Sequence, residues 1–277
     1  MQKNSHILQS LLSQPKRFQP LTEDDGRLYG AADLIMLDPP RTGDALCDEK
    51  RRNWIDWRAA PYQVKRHSEY LFDPTRDLAE GAPRLLLSAV MPAPLDSTQY
   101  LASIRGDKRY TVCGRKAESR GYVPRAIAPA EHAHDIWDII HSSTERQGRE
   151  IAPMFADRPR DWSFPEYRNF AHPEYQDICA GVFSSENRLV AYLLGKRVGH
   201  HVQYDEIMGH ADHVGSDVMY LLHYYFLLLC SALGNVPQCL NYGPWYSGEN
   251  PYSAIGGLNA WKRRIGFRPA YLILASS

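Results

Sequence analysis

Three things are scarce in this sequence: long apolar runs, cysteines at metal-binding spacing, and an excess of charge of either sign. No window approaches the roughly 20 consecutive apolar residues that a membrane-spanning helix needs. The densest stretch, Val218 to Leu233, is interrupted by His223, Tyr224 and Tyr225 and reads as a buried helix. The opening residues, Met1 to His6, are polar and hold no apolar segment of signal type, so a cytoplasmic location is expected. The five cysteines (Cys47, Cys113, Cys179, Cys230 and Cys239) are odd in number and include no CxxC pair, which argues against a disulfide framework and a zinc knuckle alike. They read as reduced thiols, with Cys179 and Cys230 serving as packing groups inside apolar runs. The 32 basic and 32 acidic residues cancel, leaving no global field to draw the chain to nucleic acid or anionic membrane. A polyanionic ligand has to be met locally.

What is present suffices for a full core: 44% of the 277 residues are hydrophobic. Residues 1–22 are polar apart from Ile7 to Leu12 and carry Pro15 and Pro20, and they read as a flexible lead. Arg27 to Leu37, Gln63 to Phe72 and Arg84 to Val90 read as strands, making residues 23–104 a β-rich subdomain. Among them, Asp48 to Arg58 sets Trp54 and Trp57 between charges of both signs. It reads as a surface helix or loop with inward tryptophans, a phosphate-binding and stacking patch being the alternative.

From Leu95 the pattern changes. A helix at Ser97 to Ile104 and a basic one through Arg120 lead to a strand at Tyr122 to Ile127 and a helix at Pro129 to His141 with Ile136, Ile139 and Ile140 on one side. A long Pro- and aromatic-rich loop follows. Next come strands Ile178 to Phe183, Leu189 to Arg197 and His200 to Met208, the first two joined by the turn Ser184 to Arg188. Val218, Leu221, Leu222, Tyr225, Phe226, Leu229 and Leu233 then recur at three and four residues, as a helix requires. A strand around Cys239 to Tyr242 precedes the closing stretch. There Leu258, Trp261 and Ile265 share one face of a short basic helix, Gly266 supplies a left-handed C-cap, and a last strand reaches Leu274.

Helix, Gly266-Phe267, strand resembles the end of many acyltransferase domains of the GNAT superfamily. Trp261 and Lys262 stand six and five residues before Phe267, and an aromatic followed by Lys there is similar to the FemAB branch, whose members join an amino acid to an amine. The basic Arg115-Lys116-Ala117 helix followed by Gly121-Tyr122 and a strand is similar to the start of the FemAB transferase lobe. The resemblance implies an α+β fold, a GNAT-type mixed central sheet flanked by helices, for residues 105–277. It leaves open whether residues 23–104 are a reduced second lobe. It also implies that the fourth and fifth strands of the series splay apart, leaving a cleft where an extended acyl donor meets exposed backbone polar groups.

One part of the pattern departs. GNAT domains that bind acyl-CoA carry a glycine-rich loop at the helix after the fourth strand, so that backbone N–H groups reach a pyrophosphate. Here the segment is His210-Ala-Asp-His-Val-Gly-Ser-Asp217, where only Gly215 and Ser216 are small and Asp212 and Asp217 add negative charge. The departure favours an aminoacyl-tRNA or a carrier-bound acyl donor over free acyl-CoA, although a neutral chain offers no extended basic stripe for tRNA.

Transfer of an acyl group to an amine needs a deprotonated amine, a polarised carbonyl and a protonated leaving group. Lys262, placed by the resemblance, is the candidate for stabilising developing charge. On the fourth strand, period-two alternation puts either Tyr204 and Glu206 or Asp205 toward the cleft, with Glu206 the first candidate base and Asp205 the second. His210 and His213 are alternatives for the base or for binding substrate; no metal is expected there. The aromatic segment Asn241 to Tyr252 offers Tyr242 or Tyr246 as general acid and Trp245 as a pocket wall, beside Trp261. Arg146 and Arg149 are candidates for gripping an acceptor carboxylate or phosphate. The expected partners are an acyl or aminoacyl donor and a small amine acceptor. An ordinary acyl-CoA N-acetyltransferase and a non-catalytic module on the same fold remain as alternatives.

Overall fold

The sheet is set by the apolar strands of the second half of the chain, onto which the first half adds. The computed structural model describes residues 34–37, 41–59, 84–94, 98–99, 109–146, 149–151, 153–162, 164, 172–235, 237–244 and 257–274. The expected lead at 1–22, the strand at Gln63 to Phe72 and most of the helix at Ser97 to Ile104 lie outside them. In chain order the elements are β1 (Leu34–Leu37), α1 (Ala45–Ala59), β2 (Arg84–Pro92), α2 (Arg109–Ser119), β3 (Val123–Ala126), a 3-10 turn at Pro129–His132 and α3 (Ala133–His141). Next come the short β4 (Glu145–Arg146) and β5 (Arg149–Glu150), α4 (Pro153–Ala156), β6 (Tyr175–Phe183), β7 (Leu189–Val198), β8 (His201–Gly209) and α5 (Ala211–Val214). The last four are α6 (Val218–Ser231), β9 (Cys239–Pro244), α7 (Leu258–Arg264) and β10 (Arg268–Leu274).

Eight strands form one mixed sheet in the order β1-β10-β2-β9-β8-β7-β6-β3. β6, β7 and β8 are antiparallel neighbours joined by short turns, β3 pairs antiparallel with β6 across the long connection that holds α3, and β8 and β9 run parallel because α6 crosses between them. The strands from residues 23–104 belong to the same sheet: β2 lies antiparallel between β10 and β9, and β1 pairs parallel with β10 at the edge.

Both faces of the sheet are covered. Helix α6 lays Val218, Leu221, Leu222, Phe226, Leu227 and Cys230 over Ile178, Ala180, Val182, Leu193 and Val202, all buried. On the other face α3 sets Ile136, Ile139 and Ile140 against Cys179, Leu189 and Tyr192. Burial of each isoleucine contributes about 1.5–3 kcal/mol as an upper bound, more than a nine-residue helix gains from its own propensity. Cys47, Cys179, Cys230 and Cys239 are buried and undisulfided, and burial pushes the Cys239 thiol up to about 12, which suits packing rather than attack. No helix among the described residues is long and apolar enough to cross a membrane.

Candidate active site

The cleft is built by a ladder that stops early. β8 and β9 pair at only three rungs, His201 with Cys239, Val202 with Leu240 and Gln203 with Asn241. Beyond the third, β8 continues to Gly209 alongside β7, whereas β9 turns to β2 across an irregularity between Ser88 and Val90. Two parallel strands that leave each other while each keeps its outer neighbour open a wedge, with the Gln203–Asn241 rung as its closed end.

On the α6 face of that rung, aromatic side chains surround two buried bases. Tyr204 and Tyr242, the next residues on β8 and β9, have ring centroids 5.1 Å apart, and both pack near Phe267, at 5.5 and 5.6 Å. Lys262 on α7 is 1% exposed, and its Nζ lies 4.9 Å from the centre of the Tyr242 ring, a cation–π distance. Burial beside the cleft replaces the solvated position that a basic terminal helix allows. Trp261, one residue earlier, is half-buried against Tyr220 of α6 at 5.0 Å, which makes it part of the helix packing.

His223 completes this cluster and escaped the sequence reading. The Tyr204 hydroxyl and His223 Nε2 are 3.0 Å apart, both side chains buried. Burial alone depresses the His223 pKa to about 3, so the imidazole is neutral at physiological pH. Its signal in the sequence is a single imidazole set among the aliphatic and aromatic residues of α6.

The fourth-strand carboxylates are arranged differently from strict alternation. A β-bulge sits at Asp205, since Leu194 pairs with Glu206 but Gly195 pairs with Tyr204. The extra residue sends Tyr204 to the α6 face and Glu206 to the α3 face, so the two do not share a side. Glu206 accepts two hydrogen bonds from Arg158, both 3.1 Å, and a third from the Tyr192 hydroxyl. Asp205 is ion-paired to Lys196 at 2.7 Å.

The loop after β8 gathers a separate polar group. His213 Nδ1 lies 2.8 Å from the Tyr122 hydroxyl, and burial, then the neighbouring His210, lowers its pKa. His210 caps α5, its ring nitrogen accepting from Asp212 N at 3.3 Å. Both histidines line a polar cavity of ≈ 450 Å³ with Arg120, Tyr122, Glu186 and Arg188. No three metal-ligating side chains among the described residues are placed to hold an ion.

Gly215 has φ −66 and open space where a Cβ would sit, and the Ser216 N–H bonds to His213 O at 2.9 Å. Asp217 enters α6 with φ 67 and lies 3.7 Å from Lys116. Arg146 is used internally. Its guanidinium donates to Gly209 O at 2.7 Å, to Ile139 O, to Ile140 O at 3.3 Å and to Ser142 Oγ at 3.2 Å. It therefore closes the carbonyl end of α3 and ties it to the end of β8. The side chain of Arg149, and Trp245 and Tyr246 entirely, lie outside the described residues.

The structure thus brings Lys262 and Tyr242 together at the closed end of the wedge, with Asp205 beside it. Glu206, Arg146 and the His210–His213 pair stand in other surroundings.

No family model and no curated protein matches the sequence. Among solved structures the chain is similar to L-PGS from Bacillus licheniformis, at 15% identity over 74% of this chain and 66% of that one, TM-score 0.45. It is similar to FemX at 10% identity, over 70% of this chain and 61% of that one, TM-score 0.49. A GCN5-related N-acetyltransferase from Kribbella flavida aligns at 14% identity over 55% and 48%, TM-score 0.33. The chain spans less than two thirds of the length of the first two. Likeness at this level concerns layout alone and says nothing of chemistry. By its own strand order, the fold is the mixed sheet flanked by helices, with a splayed fourth and fifth strand, that the GNAT resemblance implies.

Proposed function

We propose that this chain is an N-acyltransferase or aminoacyltransferase that joins an activated acyl or aminoacyl group, carried as an ester or thioester, to a small amine. The observation that carries the reading is the wedge between β8 and β9 with Lys262 buried at its closed end beside Tyr242. The donor lies between the diverging strands and its carbonyl meets strand polar groups, which costs no reorganisation because the backbone is already fixed. The amine nitrogen attacks the carbonyl carbon, the C–N bond forms, the C–O or C–S bond breaks, and the proton lost by the amine goes to the leaving oxygen or sulfur. Lys262 stabilises charge on the carbonyl or leaving group, and Tyr242 supplies the proton. Asp205 is the better-placed base of the two carboxylates, because it adjoins the last rung of the wedge and is paired to Lys196, whereas Glu206 is held by three hydrogen bonds from Arg158 and Tyr192. The transferase unit includes β1 and β2, since β2 fills the sheet between β9 and β10.

A tRNA- or carrier-linked donor is favoured over free acyl-CoA. At the start of α6 the Ser216 N–H is already bonded, Gly215 leaves its space unused, and Asp217, paired with Lys116, adds negative charge at the helix N-terminus that a pyrophosphate would need. Calorimetric titration with acetyl-CoA and with charged tRNA discriminates the donors, tRNA binding weakening steeply with salt. Product formation in cell extract that is lost in Lys262→Ala supports the reading. Neither donor binding, with Lys262→Ala leaving every product unchanged, overturns it in favour of a non-catalytic module.

A further inference from the structure

The closed end of the wedge carries two side-chain amides on opposite walls. Gln203 and Asn241 are Cα partners in the last rung, so their side chains share one face, the face away from α6. They are 1% and 0% exposed. Each amide folds forward along its own strand, toward the end where the strands part. Gln203 Nε2 donates to Tyr204 O at 2.6 Å, and Asn241 Oδ1 accepts from Gly243 N at 2.9 Å.

These backbone partners fix both amide orientations, because a carbonyl accepts only from the NH₂ and an N–H donates only to the oxygen. The remaining polar atoms are Gln203 Oε1 and Asn241 Nδ2. Both are buried and have no hydrogen-bond partner among the described residues. A buried amide oxygen and a buried amide nitrogen left over at one rung are complementary to a ligand that presents one donor and one acceptor on neighbouring atoms.

Resting on the acyl-transfer reading above, we propose that Gln203 and Asn241 recognise an α-aminoacyl group and distinguish it from a plain acyl group. Asn241 Nδ2 donates to the carbonyl oxygen that every activated acyl donor carries. Gln203 Oε1 accepts from the ammonium on the adjacent carbon, which only an aminoacyl donor has. The flanking Lys196–Asp205 ion pair, 2.7 Å apart, is neutral as a unit and does not repel that ammonium.

The test uses stable amide analogues with the unaltered chain first. Alanyl and propionyl groups, which differ by the ammonium alone, are amide-linked to 3′-amino-3′-deoxyadenosine and to an amino analogue of pantetheine, and all four are titrated calorimetrically. On whichever carrier binds, the alanyl form is expected to bind at least about tenfold tighter, as for a hydrogen bond to a charged group. Gln203→Met then brings the alanyl-to-propionyl ratio close to one, whereas Asn241→Leu weakens both forms and keeps their ratio. Equal binding of both acyl groups by the unaltered chain overturns this inference and leaves the acyl-transfer reading standing. A preference that persists in Gln203→Met also overturns it. Failure of all four analogues to bind overturns the inference and the reading together.

Discussion

His223 offers a measurement that reads the buried cluster directly. Its imidazole is fully buried, 3.0 Å from the Tyr204 hydroxyl, with a pKa depressed to about 3 in the fold. In the unfolded chain it titrates near 6.5. Between these values the unfolded state holds a proton that the folded state refuses, so stability falls as pH drops through 6.5 and continues to fall toward 3. The slope approaches 1.4 kcal/mol per pH unit, and integrating from pH 7 to pH 5 gives a loss of about 2 kcal/mol from this residue alone. With a urea dependence of roughly 2–3 kcal/mol/M, the midpoint moves down by about 0.7–1 M. Other groups also titrate in this range, so the comparison is with His223→Gln, which keeps a neutral amide within reach of Tyr204. Urea midpoints of both proteins at pH 7, 6 and 5 isolate the contribution. The unaltered protein should lose the additional 0.7–1 M. Parallel pH dependence in the two proteins refutes a buried neutral imidazole, and with it the closed aromatic packing of Tyr204, His223 and Phe267.

Other perturbations follow from the same geometry. Arg146→Met removes the group that meets three carbonyls and Ser142 Oγ, and is expected to cost about 2–4 kcal/mol in urea titration; a neutral result restores Arg146 to the role of substrate grip. Gly195→Ala places a Cβ 2.6 Å from Phe226 Cζ and 3.1 Å from Gln203 O. Phe226 is fully buried, so the methyl group overpacks the core, with an expected loss of about 1–3 kcal/mol in thermal or urea unfolding. Glu206→Gln leaves the Arg158 guanidinium without its counter-charge in a largely buried site, and a stability loss of about 3–5 kcal/mol is expected by the same assay. A stable Glu206→Gln protein that has lost turnover shows instead that Glu206 is the base.

Local periodicity made most of the layout legible. Seven apolar positions spaced three and four apart are enough to specify α6, and Gly266, with φ 98 in the structure, closes α7 where the sequence places its cap. Strands β6, β7 and β8 fall within about three residues of their expected bounds because apolar runs between turn residues need no distant information. Lys262 is a candidate only through the resemblance, since nothing local distinguishes a buried lysine from a solvated one. Where the sequence reading failed, a single non-local contact was decisive. One extra residue at Asp205 inverts the alternation of β8, and only the pairing with β7 reveals it.

Element type and order therefore belong to the sequence, because helix and strand periods are written within ten residues of chain. The wedge, the insertion of β2 between β9 and β10, the capture of Arg146 by the end of α3 and the meeting of Tyr204 with His223 belong to the tertiary structure. Each depends on which residues far apart in the chain become neighbours, and that is settled by sheet register and by how the helices cover the two faces.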